Sequence, residues 1–249
     1  MSPTLLLSAI VIGLSLGLLG AGGSILTVPA LTLLLAMDEK TAVTSSLIIV
    51  GLIALVGAIK AYQKSQLDKR LILSFAIASL PFSALGARIG LWLPEGGQTL
   101  LLVVVMLVAS FNMLRNNTSP SVTKPSTFAL LTAASAVGLL TGTVGVGGGF
   151  LIVPALLAFA AVNMTTAVAN SLALIVINGL TAFFAISLSN QTPALNWVII
   201  FTMTGVGAVA VLVGQSIALG LSQQLLRRGF ALILVGLGIW LVFEQFIKG

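Results

Sequence analysis

Apolar sequence runs almost without interruption through this chain, over 4–36, 41–59, 71–93, 99–114, 127–161, 166–188, 194–221 and 229–247. A soluble domain carries charge on roughly a quarter of its residues. Here only 6% are charged and 58% are apolar, with a mean hydropathy of +1.20. Lipid must therefore solvate most of the surface. At about 20 apolar residues per crossing, the chain reads as an all-α polytopic membrane protein with eight hydrophobic segments and up to about ten helices.

The same composition removes several classes of function. The chain has no Cys, so disulfides, thiolate catalysis and Cys-ligated metals are excluded. It has no His, the usual general base and proton shuttle. No catalytic residue, metal site or cofactor is expected, and the chain does not read as an enzyme. The net charge of +6 reflects loop residues on the cytoplasmic side of a membrane protein. No basic face with interleaved aromatics suggests nucleic acid. The first basic residue is Lys40, so the first apolar stretch is expected to be retained, not cleaved as a signal peptide.

Two segments, 4–36 and 127–161, exceed thirty residues. As single helices they would be about 50 Å long, well beyond the hydrocarbon thickness. Each is interrupted by glycines, Gly20-Ala21-Gly22-Gly23-Ser24 and Gly145-Val146-Gly147-Gly148-Gly149, and each then carries a proline, Pro29 and Pro154. They are expected to be broken helices. The stretches align at a constant offset of 125, GLLGAGGSILTVPAL at 17–31 on GTVGVGGGFLIVPAL at 142–156, and TAVTSSL at 41–47 on TAVANSL at 166–172. Glycines and a proline in register indicate a duplication. The expected organisation is a first transmembrane repeat at 1–114, a polar linker at 115–126 (RNNTSPSVTKPS, from Arg115) and a second repeat at 127–249.

Loop charge bears on the relative orientation of the halves. Lys60, Lys64, Lys69 and Arg70 crowd the loop after the second segment, whereas its counterpart near 188–194 is uncharged; in the next loop the bias reverses, to Arg227 and Arg228. Opposite bias in equivalent loops suggests opposite orientation. If each broken segment is a V, crossing twice or dipping in and returning, eight basic residues fall on one side and three on the other. If it crosses once, the repeats are parallel and the split is seven to four. The favoured reading has inverted-topology repeats, each a glycine-broken helix pair followed by three transmembrane helices, with the linker in the cytoplasm.

Unwound backbone survives in a bilayer only where protein or a water-filled cavity surrounds it. A half-helix restarting after a glycine break presents unpaired amides and a positive end, and so suits an anion. Gly20, Gly22, Gly23 and Ser24, with Gly145, Gly147, Gly148 and Gly149, are the candidate substrate-binding backbone, expected to converge on one central site. The competing reading is that the glycines allow close helix packing. Ser45, Ser46, Asn170 and Ser171 enter the following helices as candidate hydrogen-bond donors; back-bonding or interhelical bonding is the alternative. Asn178 and Gln215 are isolated amides that fit either role. Arg88 either snorkels to the interface or supplies a fixed positive charge. All five acids, Asp38, Glu39, Asp68, Glu95 and Glu244, fall near segment ends, which argues against a carboxylate proton relay.

The paired G-x-GG(S/G)-x-L-x-V-P-A-L motifs, the TAV-x-x-SL after each, and GAR before a short helix resemble the TauE/SafE sulfite exporter family over nearly the whole chain. The resemblance implies a cytoplasmic-membrane secondary transporter whose substrates are small sulfur-containing anions such as sulfite or organosulfonates, with no cofactor. Its expected partners are that anion and the lipid bilayer. A permease or channel for another small anion, or a non-transporting membrane assembly protein, is the alternative.

Overall fold

The computed structural model describes residues 3–20, 22–94, 96–115, 127–145, 149–189 and 193–248, and these are helical with short connections. Among the described residues the eight apolar segments resolve into ten α-helices because both long ones break. The first half contains α1 (Pro3–Leu19), α2 (Gly22–Pro29), α3 (Glu39–Gln63), α4 (Lys69–Trp92) and α5 (Gly97–Arg115). The second contains α6 (Thr127–Val144), α7 (Gly149–Phe159), α8 (Met164–Ser187), α9 (Trp197–Ala218) and α10 (Gln223–Lys248). By length and composition α3, α4, α6, α8 and α9 can each cross a membrane; α1, α7 and parts of α2 and α5 are shorter apolar helices. The chain is a multi-pass membrane protein. The expected linker lies outside the described residues except for Arg115, which ends α5.

Local chemistry sets the helix ends at matching places in both halves. Asp38 accepts a hydrogen bond from the Thr41 amide to start α3, and Asn163 accepts from Thr166 to start α8. Asp68 accepts from the Arg70 and Leu71 amides at the start of α4, and Asn196 from Ile199 at the start of α9. These side-chain acceptors satisfy amides that would otherwise be orphaned. Pro29 has no N–H to continue the α-helical ladder, and the chain proceeds from it as a π-helical stretch, Ala30–Leu34. Ala36 and Ala161 follow α2 and α7 in the left-handed region, at φ 50° and 52°.

The halves interlock. α1 packs along α9 and α6 along α4, so the first helix of each half lies on the fourth of the other; α3 pairs with α8, and α5 with α10. Exchanging the halves leaves this set of pairings unchanged. Small residues make the first two contacts possible. Gly13 and Gly17 of α1 lie against Gly207, Val211 and Gly214 of α9, as Gly138 and Gly142 of α6 lie against Ser79, Ser83 and Ala87 of α4. A methyl group on Gly142 would overlap the Ser83 carbonyl oxygen and come within 2.7 Å of the Ala87 nitrogen; on Gly17 it would overlap the Val211 carbonyl oxygen and come within 2.8 Å of the Gln215 nitrogen.

A clasp joins the start of α3 to the turn between α4 and α5. The Glu39 carboxylate accepts from the Gly96 and Thr99 amides and the Thr99 hydroxyl at the N-terminus of α5. Lys40 Nζ donates to the carbonyls of Gly90 and Leu93 at the end of α4. Each charge meets the helix end of opposite polarity.

Gly51 of α3 is buried, yet a methyl group there would meet nothing within 4 Å. Gly51→Ala is expected to gain about 0.5–1 kcal/mol of stability by removing a mid-helix glycine. Gly142→Ala is expected to lose about 1–3 kcal/mol by forcing α6 off α4. Thermal melting of the purified protein in detergent checks both, and a Gly142→Ala variant that melts with the wild type would sink the packing argument.

Candidate anion-binding region

Among the described residues, each helix break carries one left-handed glycine. Gly20 has φ +67° and Gly145 φ +71°, a conformation that glycine enters without steric cost. No side chain would fit at either. A methyl group on Gly20 would lie 2.6 Å from Ser171 Oγ, and one on Gly145 would overlap Val43.

Each break is held by a hydroxyl from the opposite half. Ser171 Oγ donates to the Gly20 carbonyl at 2.9 Å, and Ser46 Oγ donates to the Gly145 carbonyl. The same hydroxyls approach carbonyls one turn earlier in their own helices, Val168 and Val43, both at 2.8 Å. A serine has one proton to give, and here it is shared between two protein carbonyls. Ser46 and Ser171 therefore hold the breaks and have no proton left for a ligand.

The two breaks stand at different levels. α3 and α8 cross antiparallel, with the Leu47 carbonyl against Gly179 and Gly57 against the Leu172 side chain. In that register Ser46 and Ser171, and hence the breaks they hold, are about 15 Å apart along the helix axes at 1.5 Å per residue. The two holding serines are thus offset, while the short helices that follow the breaks, α2 and α7, touch each other. Each long segment turns back on itself, and in the first half Gly23 of α2 packs against the Ile12 carbonyl and Leu16 of α1.

The other candidates divide between these places. Gly22 opens α2, and Gly149, buried, opens α7. The Ser24 side chain, Gly147 and Gly148 lie outside the described residues. Ser45 is fully buried and its hydroxyl has no hydrogen-bond partner. Its repeat equivalent Asn170 is engaged at both ends: Nδ2 donates to the Thr166 carbonyl at 2.7 Å, and Oδ1 accepts from the Asp68 amide at 2.9 Å. Asn170 thus fastens α8 to the start of α4. Arg88 is exposed on the face of α4 that also presents Leu85 and Ile89. The inward face carries Ser79, Ser83, Gly86 and Gly90, and the helical period places Arg88 away from it and from both breaks.

Polar groups with no counterpart among the site candidates also line the interior. Ser79 Oγ donates to Asn178 Oδ1 at 2.8 Å and Ser83 Oγ to the Asn178 carbonyl at 3.0 Å, while Asn178 Nδ2 is buried without a partner. Gln215 Nε2 donates to the Gly57 carbonyl at 2.9 Å. Among the described residues no group of His, Cys, Asp or Glu is arranged to hold a metal ion. Of the groups described above, the Ser45 hydroxyl and Asn178 Nδ2 are the donors left without a partner, chemistry suited to recognising a negative ligand.

Ser46→Ala and Ser171→Ala each leave a buried carbonyl unpaired and are expected to cost about 1–3 kcal/mol. Ser45→Ala removes a hydroxyl that bonds to nothing and is expected to be neutral or slightly stabilising. Comparing the three melting curves in detergent decides the matter; equal curves would mean that the hydroxyls do not hold the breaks.

The family model described as Sulfite exporter TauE/SafE matches residues 5–241 of this chain. A protein of Xylella fastidiosa strain Temecula1 named "Probable membrane transporter protein" is 32% identical over 246 residues, covering 94% of this chain and 92% of its own. "Probable membrane transporter protein YunE" of Bacillus subtilis strain 168 is 22% identical over 266 residues, covering 94% and 96%. No solved structure matches the chain.

Proposed function

Because the chain belongs to the sulfite exporter TauE/SafE family of membrane transporters, we propose that it is a secondary transporter of a small sulfur-containing anion, sulfite or an organosulfonate, across the cytoplasmic membrane. The observation that carries this reading is the pair of helix breaks at Gly20 and Gly145. They fall inside the matched region and give each half a short helix whose first amides precede a buried apolar stretch. Such ends attract negative charge without a basic side chain.

The halves are taken to be inverted repeats. Equivalent helices α3 and α8 pack antiparallel, while α1 runs in the same direction as α9, the counterpart of α4. That arrangement follows from a pseudo-two-fold axis lying in the membrane plane, the symmetry on which alternating-access carriers are built. The loop charges then put Lys60, Lys64, Lys69 and Arg70 in the cytoplasm. One break serves each side, so the anion meets two half-sites in succession.

Reconstituted proteoliposomes test the reading. Wild-type protein is expected to carry sulfite or a short alkylsulfonate. Gly22→Leu and Gly147→Leu are expected to lower flux at least tenfold, the equivalent of about 1.4 kcal/mol, with unchanged melting temperatures. Undiminished flux in both variants would overturn the role of the breaks, and wild-type liposomes impermeable to every sulfur anion would overturn the substrate class.

A further inference from the structure

The duplicated frame ends in two unlike mouths. At one, a cavity of about 40 Å³ is lined by Gly17 of α1, Lys60 and Lys64 at the end of α3, Thr165 and Val168 of α8, and Gln215 of α9. It adjoins the first helix break, since Val168 also lies 2.8 Å from where a Gly20 side chain would begin. Lys60 Nζ donates to the Leu212 carbonyl at 2.8 Å and Ser216 Oγ at 3.0 Å. An ammonium has three protons, so one remains for a ligand. Lys64 is exposed, and among the described residues it has no carboxylate partner.

At the other mouth the equivalent positions are filled. In the repeat alignment Lys60 corresponds to Ala185 and Gln215 to Ala87, and both alanines are buried in an apolar cluster with Leu47, Ala182 and Ile186. Thr165 corresponds to Lys40, whose ammonium is drawn to the Gly90 and Leu93 carbonyls at the end of α4. Leu226, which lines the open cavity, corresponds to Gln98, whose amide donates to the Thr143 carbonyl at 2.6 Å. Among the described residues, one mouth is open and basic, and the equivalent positions named here are apolar or bonded to carbonyls.

We propose that the cavity beside Lys60 and Lys64 is the capture site for the transported anion, a compact sulfur oxyanion or the head of a sulfonate, and that the protein stands open on this basic side. The inference rests on the anion-carrier reading. Its volume would hold about three waters at 10–15 Å³ each, which suits an ion with a few heavy atoms. Lys60 supplies a positioned hydrogen bond and Lys64 a mobile charge at the rim. The first helix break lies next inward, so a captured anion passes from ammonium groups to backbone amides.

Binding and flux are measured on the same preparations. Methanesulfonate, sulfite and chloride are added at matched ionic strength to purified protein in detergent, and melting is followed. The sulfur anions are expected to raise the melting temperature of the wild type, and chloride to do so less. Lys60→Gln/Lys64→Gln is expected to weaken that effect at least tenfold in concentration. Lys64→Gln alone leaves the bonds of Lys60 intact and is expected to lose part of it, and Lys64→Arg to restore it. A shift that survives in the double variant, or no sulfur-anion shift in the wild type, would overturn the capture site. If binding behaves as expected but wild-type liposomes carry no sulfur anion, the transport reading fails and the site stands. If flux is normal and its half-saturation is unmoved by the double variant, the carrier reading stands and the capture site fails.

Discussion

A carbonyl group inside a bilayer has no water to turn to, and the hydrogen bonds from Ser171 to Gly20 and from Ser46 to Gly145 answer that constraint. Breaking a helix is the step that makes a polar site in an apolar protein, and it is also the step that orphans backbone groups. Each break needs a donor at a set height and angle. Neither half supplies its own. The reciprocal pairing of α1 with α9 and α6 with α4 brings α3 and α8 close enough for each to serve the other half's break, and the glycine contacts of Gly13, Gly17, Gly138 and Gly142 make that pairing tight.

Within this shared frame the halves differ at several interior positions. Asn178 stands where the first half has Ile53, Ser45 where the second has Asn170, and Lys60 where the second has Ala185. The caps, breaks and packing glycines are kept in both halves. The frame requires matching halves; the openings at its two ends do not. A carrier built this way can present the same architecture to both sides of a membrane with different chemistry at each.

Much of this was legible in the sequence. Glycine and proline in register exposed the duplication and the breaks, because those residues specify backbone geometry directly. The roles of individual residues were harder to read. The pattern GxGG does not say which glycine turns the chain and which merely packs: Gly20 does the first and Gly23 the second. Ser46 and Ser171 looked like ligand donors because nothing local reveals a carbonyl 99 or 151 positions away. The position of Arg88 was within reach, since the stripe Ser79, Ser83, Gly86, Gly90 already fixes the inward face of α4. Lys40 and Lys60 read from sequence only as the first basic residue and as a loop charge, though both cap carbonyls on other helices.

The reciprocal serines also order events during synthesis. A chain threading into the membrane from its N-terminus delivers Gly20 long before Ser171 exists, so the first turn-back is assembled without the group that completes it. Until α8 is inserted, the nascent first half must borrow a donor from water, lipid headgroups or the insertion machinery. A ribosome that stalls between the two halves would therefore leave behind an unfinished protein, not a functional half.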